Sequence, residues 1–180
     1  MAAEEFKLDD AVGSYVEVWK RVVLEPRAFF GALPAAGGLQ PPLAFAAISL
    51  FVGGVGVLLF GGGLKGLVAL VVLGLIRLFV GAAIVTLIAQ SLFQGQGDYE
   101  STFRALGYAT AIAVLIGVPF VQYFAALYGA FLLIVAIERA HSFDAVRASL
   151  TLLATAVTGF VIAHALGLWP TLARLSPLLG

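Results

Sequence analysis

From Leu64 to Phe93 the chain runs through a continuous apolar stretch whose ionisable side chains are Lys65 and Arg77. As a helix it would be about 45 Å long at about 1.5 Å per residue, more than the roughly 30 Å of a bilayer's hydrocarbon core, so it must tilt or protrude. A segment like this has no place in a water-soluble domain of 180 residues. The rest of the sequence agrees, with 62% hydrophobic and 11% charged residues and a mean hydropathy of +1.07. These values predict an all-α, polytopic membrane protein.

Span-length arithmetic divides the remainder. Residues 42–60 fit the bilayer once, and 64–93 make a second span. The run from Ala105 to Ile137 would reach about 50 Å as one helix, too long for a single crossing. Gly117-Val118-Pro119 lies near its middle, where proline removes a backbone donor and disfavours helix in the residue before it. This predicts a tight hairpin of two spans, 101–117 and 119–138. A fifth span runs over 146–168, closed by Trp169-Pro170, with 169–180 as a short interfacial tail.

Orientation follows from the distribution of cations, because short cytoplasmic loops retain Lys and Arg. With the amino terminus inside, Lys7, Lys20, Arg21, Arg27, Arg104, Arg139 and Arg147 collect on the inner side. Lys65 and Arg174 fall outside. Five spans then place the carboxyl terminus outside. The acidic start Met1-Ala2-Ala3-Glu4-Glu5 does not have the form of a secretory signal, so the first span is expected to direct insertion into the plasma (inner) membrane.

Residues 1–41 form the cytoplasmic segment in this scheme. Val12, Tyr15, Val16, Trp19, Val22 and Val23 recur at three- and four-residue spacing, opposite Glu17, Lys20 and Arg21. The pattern predicts an amphipathic helix on the cytoplasmic membrane surface. The alternative is a helix packed on the protein's own loops.

A polar island, Gly97-Asp98-Tyr99-Glu100-Ser101-Thr102-Phe103-Arg104-Ala105-Leu106-Gly107-Tyr108-Ala109, interrupts the apolar background. Asp98 is placed to cap a helix whose first turn carries Glu100. Glu100 and Arg104 are four residues apart in the favourable order for a same-face ion pair. Ser142-Phe143-Asp144-Ala145-Val146-Arg147 repeats the pattern loosely. One reading makes both segments capped helix entries at the inner interface. The other makes Asp98, Tyr99, Glu100, Arg104, Asp144 and Arg147 a cytoplasmic patch that docks a partner.

Three further polar side chains lie in apolar surroundings. Arg77 is the one charge within an apolar run, a position that marks a candidate functional site. Gln122 and His164 are the side chains that could share an intramembrane polar site with it. The bland readings are a snorkelling arginine and a histidine bonded between helices. His141 is expected to be solvated.

Several function classes are excluded. A formal net charge of zero gives no field for nucleic acid. With no cysteine and two histidines on opposite sides of the membrane, no metal set assembles. Gly62-Gly63-Leu64-Lys65-Gly66 is not a phosphate loop, because the Walker Lys-Ser/Thr pair is missing. Its glycine spacing, like that of Gly53-Gly54-Val55-Gly56, suits close helix packing. No nucleophile stands beside a base. Catalytic residues, cofactors and metals are therefore not expected, and the chain reads as a non-enzyme.

The combination of Gly95-Gln96-Gly97-Asp98-Tyr99, Thr102-Phe103-Arg104, Gly107-Tyr108-Ala109, Pro119, and Ala140-His141-Ser142 with Arg147-Ala148 resembles the Yip (Ypt/Rab-interacting) domain family, in particular its bacterial members. The likeness covers roughly residues 15–168. It implies a five-span fold and, for eukaryotic relatives, binding of Rab-type GTPases. The Asp-Leu-Tyr-Gly-Pro element and long amino-terminal region of those relatives are absent, so GTPase binding is not carried over.

Two functions remain. One is a scaffold or assembly subunit that packs helix faces against partner membrane proteins, lipids or itself. The other is a small-molecule or lipid transporter that uses Arg77 and the break at Gly117-Pro119, since interrupted helices often line binding sites.

Overall fold

The computed structural model describes residues 5–167 and is helical throughout its regular structure. The helices are α1 (Ala11–Leu24), α2 (Pro26–Ala32), α3 (Gln40–Val57), α4 (Gly63–Phe93), α5 (Tyr99–Ala109), α6 (Val121–His141) and α7 (Ala145–Ala165). A π-helical turn, Leu58–Gly62, joins α3 to α4, and a 3-10 segment, Thr110–Leu115, extends α5. The expected end of the last span at Leu168, Trp169-Pro170 and the tail lie outside the described residues.

Three helical stretches among the described residues are long and apolar enough to cross a membrane: Gln40–Phe93, Val121–His141 and Ala145–Ala165. The first is two helices. At Phe60 (φ −98°, ψ 20°) and Gly61 (φ 107°) the backbone leaves helical geometry, and Gly63 has φ 64°. Beyond the turn α4 returns antiparallel along α3. Gly54 faces Leu67, Gly53 faces Leu70 and Gly74 faces Leu50, so the glycines let the two backbones approach.

The run after Ala105 breaks where proline predicts. Helix α5 relaxes into the 3-10 segment, and the chain turns through Gly117–Phe120 before α6 starts at Val121. A Cβ on Gly117 would lie 2.4 Å from both the Gly53 carbonyl oxygen and the Val57 nitrogen. The break is thus a packing joint against α3, filled by backbone. The inbound arm is short: eleven α-helical residues followed by six in 3-10 form.

Helix α5 occupies the interior, between α3, α4 and α6. Every residue from Ser101 to Ala109 is buried. Tyr108 packs between Phe29 and Phe45, each at 5.2 Å between ring centroids, while Phe103 meets Phe79 at 4.9 Å on the opposite side. One core cluster gathers Val18, Val22, Phe29, Phe45, Tyr108 and Leu132; another gathers Ala46, Leu78, Ala82, Phe103, Ile137 and Ala148.

One side of the amino-terminal helix α1 packs on the protein itself, the alternative to a wholly lipid-facing stripe: Val22 of the expected stripe, together with Val18, is buried in the core. The Trp19 indole N–H donates to the Ala111 carbonyl at 2.9 Å, and the Tyr15 hydroxyl meets Ser49 at 3.0 Å. Burying this stripe against protein satisfies the two polar aromatic tips, which a lipid surface would satisfy only with water. Val12, Val16 and Leu24 remain exposed.

Candidate functional site

The polar island folds into the start of α5 through its own caps. The Asp98 carboxylate accepts from the Ser101 backbone N–H at 2.8 Å, and the Ser101 hydroxyl accepts from the Asp98 N–H at 3.0 Å. This reciprocal box satisfies two of the donors that a helix start leaves open. The Ser101 N–H holds the Asp98 carboxyl below its usual range. At α7 Asp144 caps in the same way, accepting from the Arg147 N–H at 2.8 Å, with its other oxygen 3.8 Å from the Arg147 guanidinium.

Glu100 and Arg104 do not pair, which corrects the same-face ion pair expected from their spacing. They grip opposite sides of the loop between α2 and α3 instead. Glu100 accepts from the backbone N–H groups of Gly37 (2.9 Å) and Gly38 (2.7 Å), and these two bonds, Gly38 first, pull its carboxyl below the usual range. Arg104 donates to the carbonyls of Pro34 (3.1 Å) and Gly38 (2.6 Å). Gly37 has φ 150°, and a Cβ there would meet the guanidinium at 2.9 Å. Glycine is required on both counts.

Arg104 is 0% exposed, and its charge is met by Glu5, whose carboxylate lies 2.6 Å from Nη2. The other Glu5 oxygen accepts from the Tyr108 hydroxyl at 3.3 Å. The segment before α1 is thereby tied to the interior of the bundle, with Phe6 buried against Phe45 beside it. As a member of a docking surface Arg104 is corrected: a buried guanidinium committed to three partners in its own chain presents nothing outward. Of the other docking candidates, Asp98, Asp144 and Arg147 are exposed, and Tyr99 and Glu100 are partly buried.

His141 is also corrected, from solvated to 1% exposed. Its Nε2 lies 2.9 Å from the Thr102 hydroxyl. Because that hydroxyl donates to the Asp98 carbonyl at 2.7 Å, it accepts from the ring, which assigns the histidine proton to Nε2. Nδ1 is buried without a hydrogen-bond partner, the ring stacks on Phe143, and Gly95 and Gly97 close over it. A Cβ on Gly97 would lie 2.2 Å from the Ala140 carbonyl oxygen. The Gly-Gln-Gly spacing is thus explained by close approach of this loop to the end of α6.

The family model for the Yip1 domain matches residues 20–166. The chain belongs to the Yip1 domain family. It is accordingly an integral membrane protein. Comparison with curated proteins gave no match, and neither did comparison with solved structures.

In this Yip1-domain chain the intramembrane polar candidates do not converge. Arg77 is exposed midway along α4, with no hydrogen bond or ion pair among the described residues. Gln122 is partly buried in the first turn of α6. His164 is exposed near the end of α7 and stacks on Phe160. Among the described residues no group of three or more His, Asp or Glu side chains is placed to hold a metal ion.

Sequence reasoning missed Glu5, Thr102 and Tyr128 as polar ties. Tyr128 donates to the Val23 carbonyl at 2.6 Å and anchors α6 to α1. A pairing signal for Glu5 existed: a buried arginine needs a carboxylate, and of the acids nearest in its own helix Asp98 caps the helix start while Glu100 binds the Gly37–Gly38 loop.

Proposed function

We propose that this Yip1-domain protein is a non-enzymatic scaffold or assembly subunit of the plasma (inner) membrane, acting through helix packing with partner membrane proteins. It crosses five times, by α3, by α4, by residues 101–117 along α5 and its 3-10 extension, by α6 and by α7, with the amino terminus in the cytoplasm and the carboxyl terminus outside. The gathering of Lys and Arg toward one side supports that orientation.

The observation that carries the reading is the contrast between inside and outside. The convergent polar groups, Glu5, Glu100, Thr102, Arg104 and His141, are used in closing the chain on itself. The outward faces are apolar, most of all on α7, where Ala148 and Thr151 are the buried residues and Leu150, Leu153, Val157, Phe160 and Val161 are exposed. Such faces pack against lipid or other spans. The transport reading is weaker, since Arg77 points outward and the break at Gly117-Pro119 is filled by α3.

The test is purification of the full chain in mild detergent with identification of what copurifies. Reproducible membrane-protein partners are expected; a lone monomer carrying lipid would contradict the reading. A carboxyl-terminal reporter found in the cytoplasm would contradict five spans.

A further inference from the structure

His141 closes α6 at the point where two connections of the bundle meet. Loop 94–97, between α4 and α5, lies over its ring, and Phe143, leading into α7, stacks on it at 5.5 Å between centroids. Nδ1 is buried with no hydrogen-bond partner among the described residues. A Cβ on Gly95 would lie 2.7 Å from Nδ1 and one on Gly97 3.0 Å, so glycine backbone fills the space that an acceptor or a water would need. This enclosure suits a neutral ring that donates from Nε2 to Thr102. A second proton, on Nδ1, would find nothing to bond.

The loop is held lightly over the ring. Its backbone bond to α6 runs from the Gln96 N–H to the His141 carbonyl at 3.3 Å, and its other ties, Gly95 N–H to the Ala89 carbonyl (2.8 Å) and the Gln90 amide to the Gly97 carbonyl (3.0 Å), lead back to α4. A buried imidazolium with an unmet N–H costs more than one long backbone bond contributes. Asp98, the cap of α5, is the ionisable group that acts on the ring. Residues 87–97 carry no ionisable side chain. At the start of α7 Asp144 and Arg147 pair with each other at 3.8 Å, on α6 Glu138 faces Arg27 at 3.8 Å, and Arg139 is exposed. Asp98 is exposed at the end of the loop, where a ring that has left its enclosure can reach its carboxylate.

We propose that His141 is a pH-sensitive latch: uptake of a proton at Nδ1 lifts loop 94–97 off the end of α6, and the imidazolium turns to the Asp98 carboxylate. Acid thereby separates the α4–α5 connection from the α6–α7 connection at one end of the bundle, while the helices keep their packing. The closed form needs the neutral ring. It is complete above the ordinary histidine value of about 6.5 and is lost progressively as pH falls below it.

The test uses the full chain in detergent, with nitroxides on Gln96→Cys and Ser142→Cys, two exposed positions adjacent across the latch. Dipolar broadening between them should fall at least about twofold from about pH 7.5 to about pH 5, with helix content unchanged. His141→Gln should remove this pH dependence, and His164→Gln should leave it intact. Asp98→Asn, which still caps the helix, should move the midpoint to lower pH because the opened ring loses its carboxylate.

Nuclear magnetic resonance of 15N-labelled histidine in the unsubstituted protein follows Nδ1 directly. Its protonation should share the midpoint of the broadening loss, a coincidence that decides the matter even where His141→Gln does not fold. Broadening that stays constant across the range overturns the proposal. So does a loss that tracks helix content, a loss that folded His141→Gln retains, or an Nδ1 that takes up its proton while the broadening persists.

Discussion

Arg104 and Glu5 meet at 2.6 Å across 99 positions of sequence, one fully buried and the other at the edge of the interior. The contact turns the segment before α1 into a strap over α5. Removing one partner of a buried pair leaves the other charge uncompensated, which costs more than the net value of the pair. Glu5→Ala should therefore destabilise the protein by about 1–3 kcal/mol. Arg104→Lys should also destabilise, because an ammonium cannot reach Glu5, Pro34 and Gly38 at once with the geometry of a guanidinium. Thermal unfolding in a nonionic detergent measures both.

Glycine substitutions should sort by what lies beside them. Gly97→Ala drives a methyl into the Ala140 carbonyl, and Gly117→Ala drives one into the Gly53 and Val57 backbone. Neither neighbour can move without shifting a helix, so each should cost about 1–3 kcal/mol. Gly81→Ala on α4 and Gly159→Ala on α7 meet open space and should be neutral or slightly stabilising. The four variants measured together in one denaturation series check the contrast.

Acid should loosen the clamp on the Gly37–Gly38 loop. The Glu100 carboxyl is held below its ordinary value of 4.5 by the Gly38 and Gly37 N–H groups. A depressed folded-state value means that the stabilisation is full above the ordinary value and is lost as pH falls through the folded one. Wild type should exceed Glu100→Gln in melting temperature at pH 7, and the gap should close below about pH 4.5. A gap independent of pH would contradict the assignment.

Thr102 sits between the Asp98 carbonyl and the His141 ring, donating to one and accepting from the other. Thr102→Val keeps the shape and strands the buried Nε2–H. The expected loss is about 1–3 kcal/mol. Thr102→Ser should restore most of it, a comparison that thermal unfolding resolves.

Much of the architecture was legible because the membrane imposes length and hydropathy on each helix. The turn at Gly61, the break before Val121 and the caps of Asp98 and Asp144 all follow from local chemistry. The errors share a cause. Spacing predicted that Glu100 would face Arg104 on one helix turn, whereas both side chains reach a loop that the fold brings alongside. His141 looked solvated at the end of a span, yet Gly95 and Gly97 allow the loop to cover it. The stripe of α1 would suit lipid as well as protein, and which surface covers it depends on the aromatic pocket formed by Phe29, Phe45 and Tyr108. Such contacts between distant segments have no periodicity to announce them.

The central claim is that the polar island is an internal clasp rather than a docking face. The chain has no cysteine, so single cysteines report accessibility directly. Ala105→Cys, 3% exposed in α5, should react with maleimide in the detergent-solubilised protein at least about tenfold more slowly than Ser142→Cys, which is exposed between α6 and α7. Reaction of both at the same rate, in protein that remains folded, would contradict it.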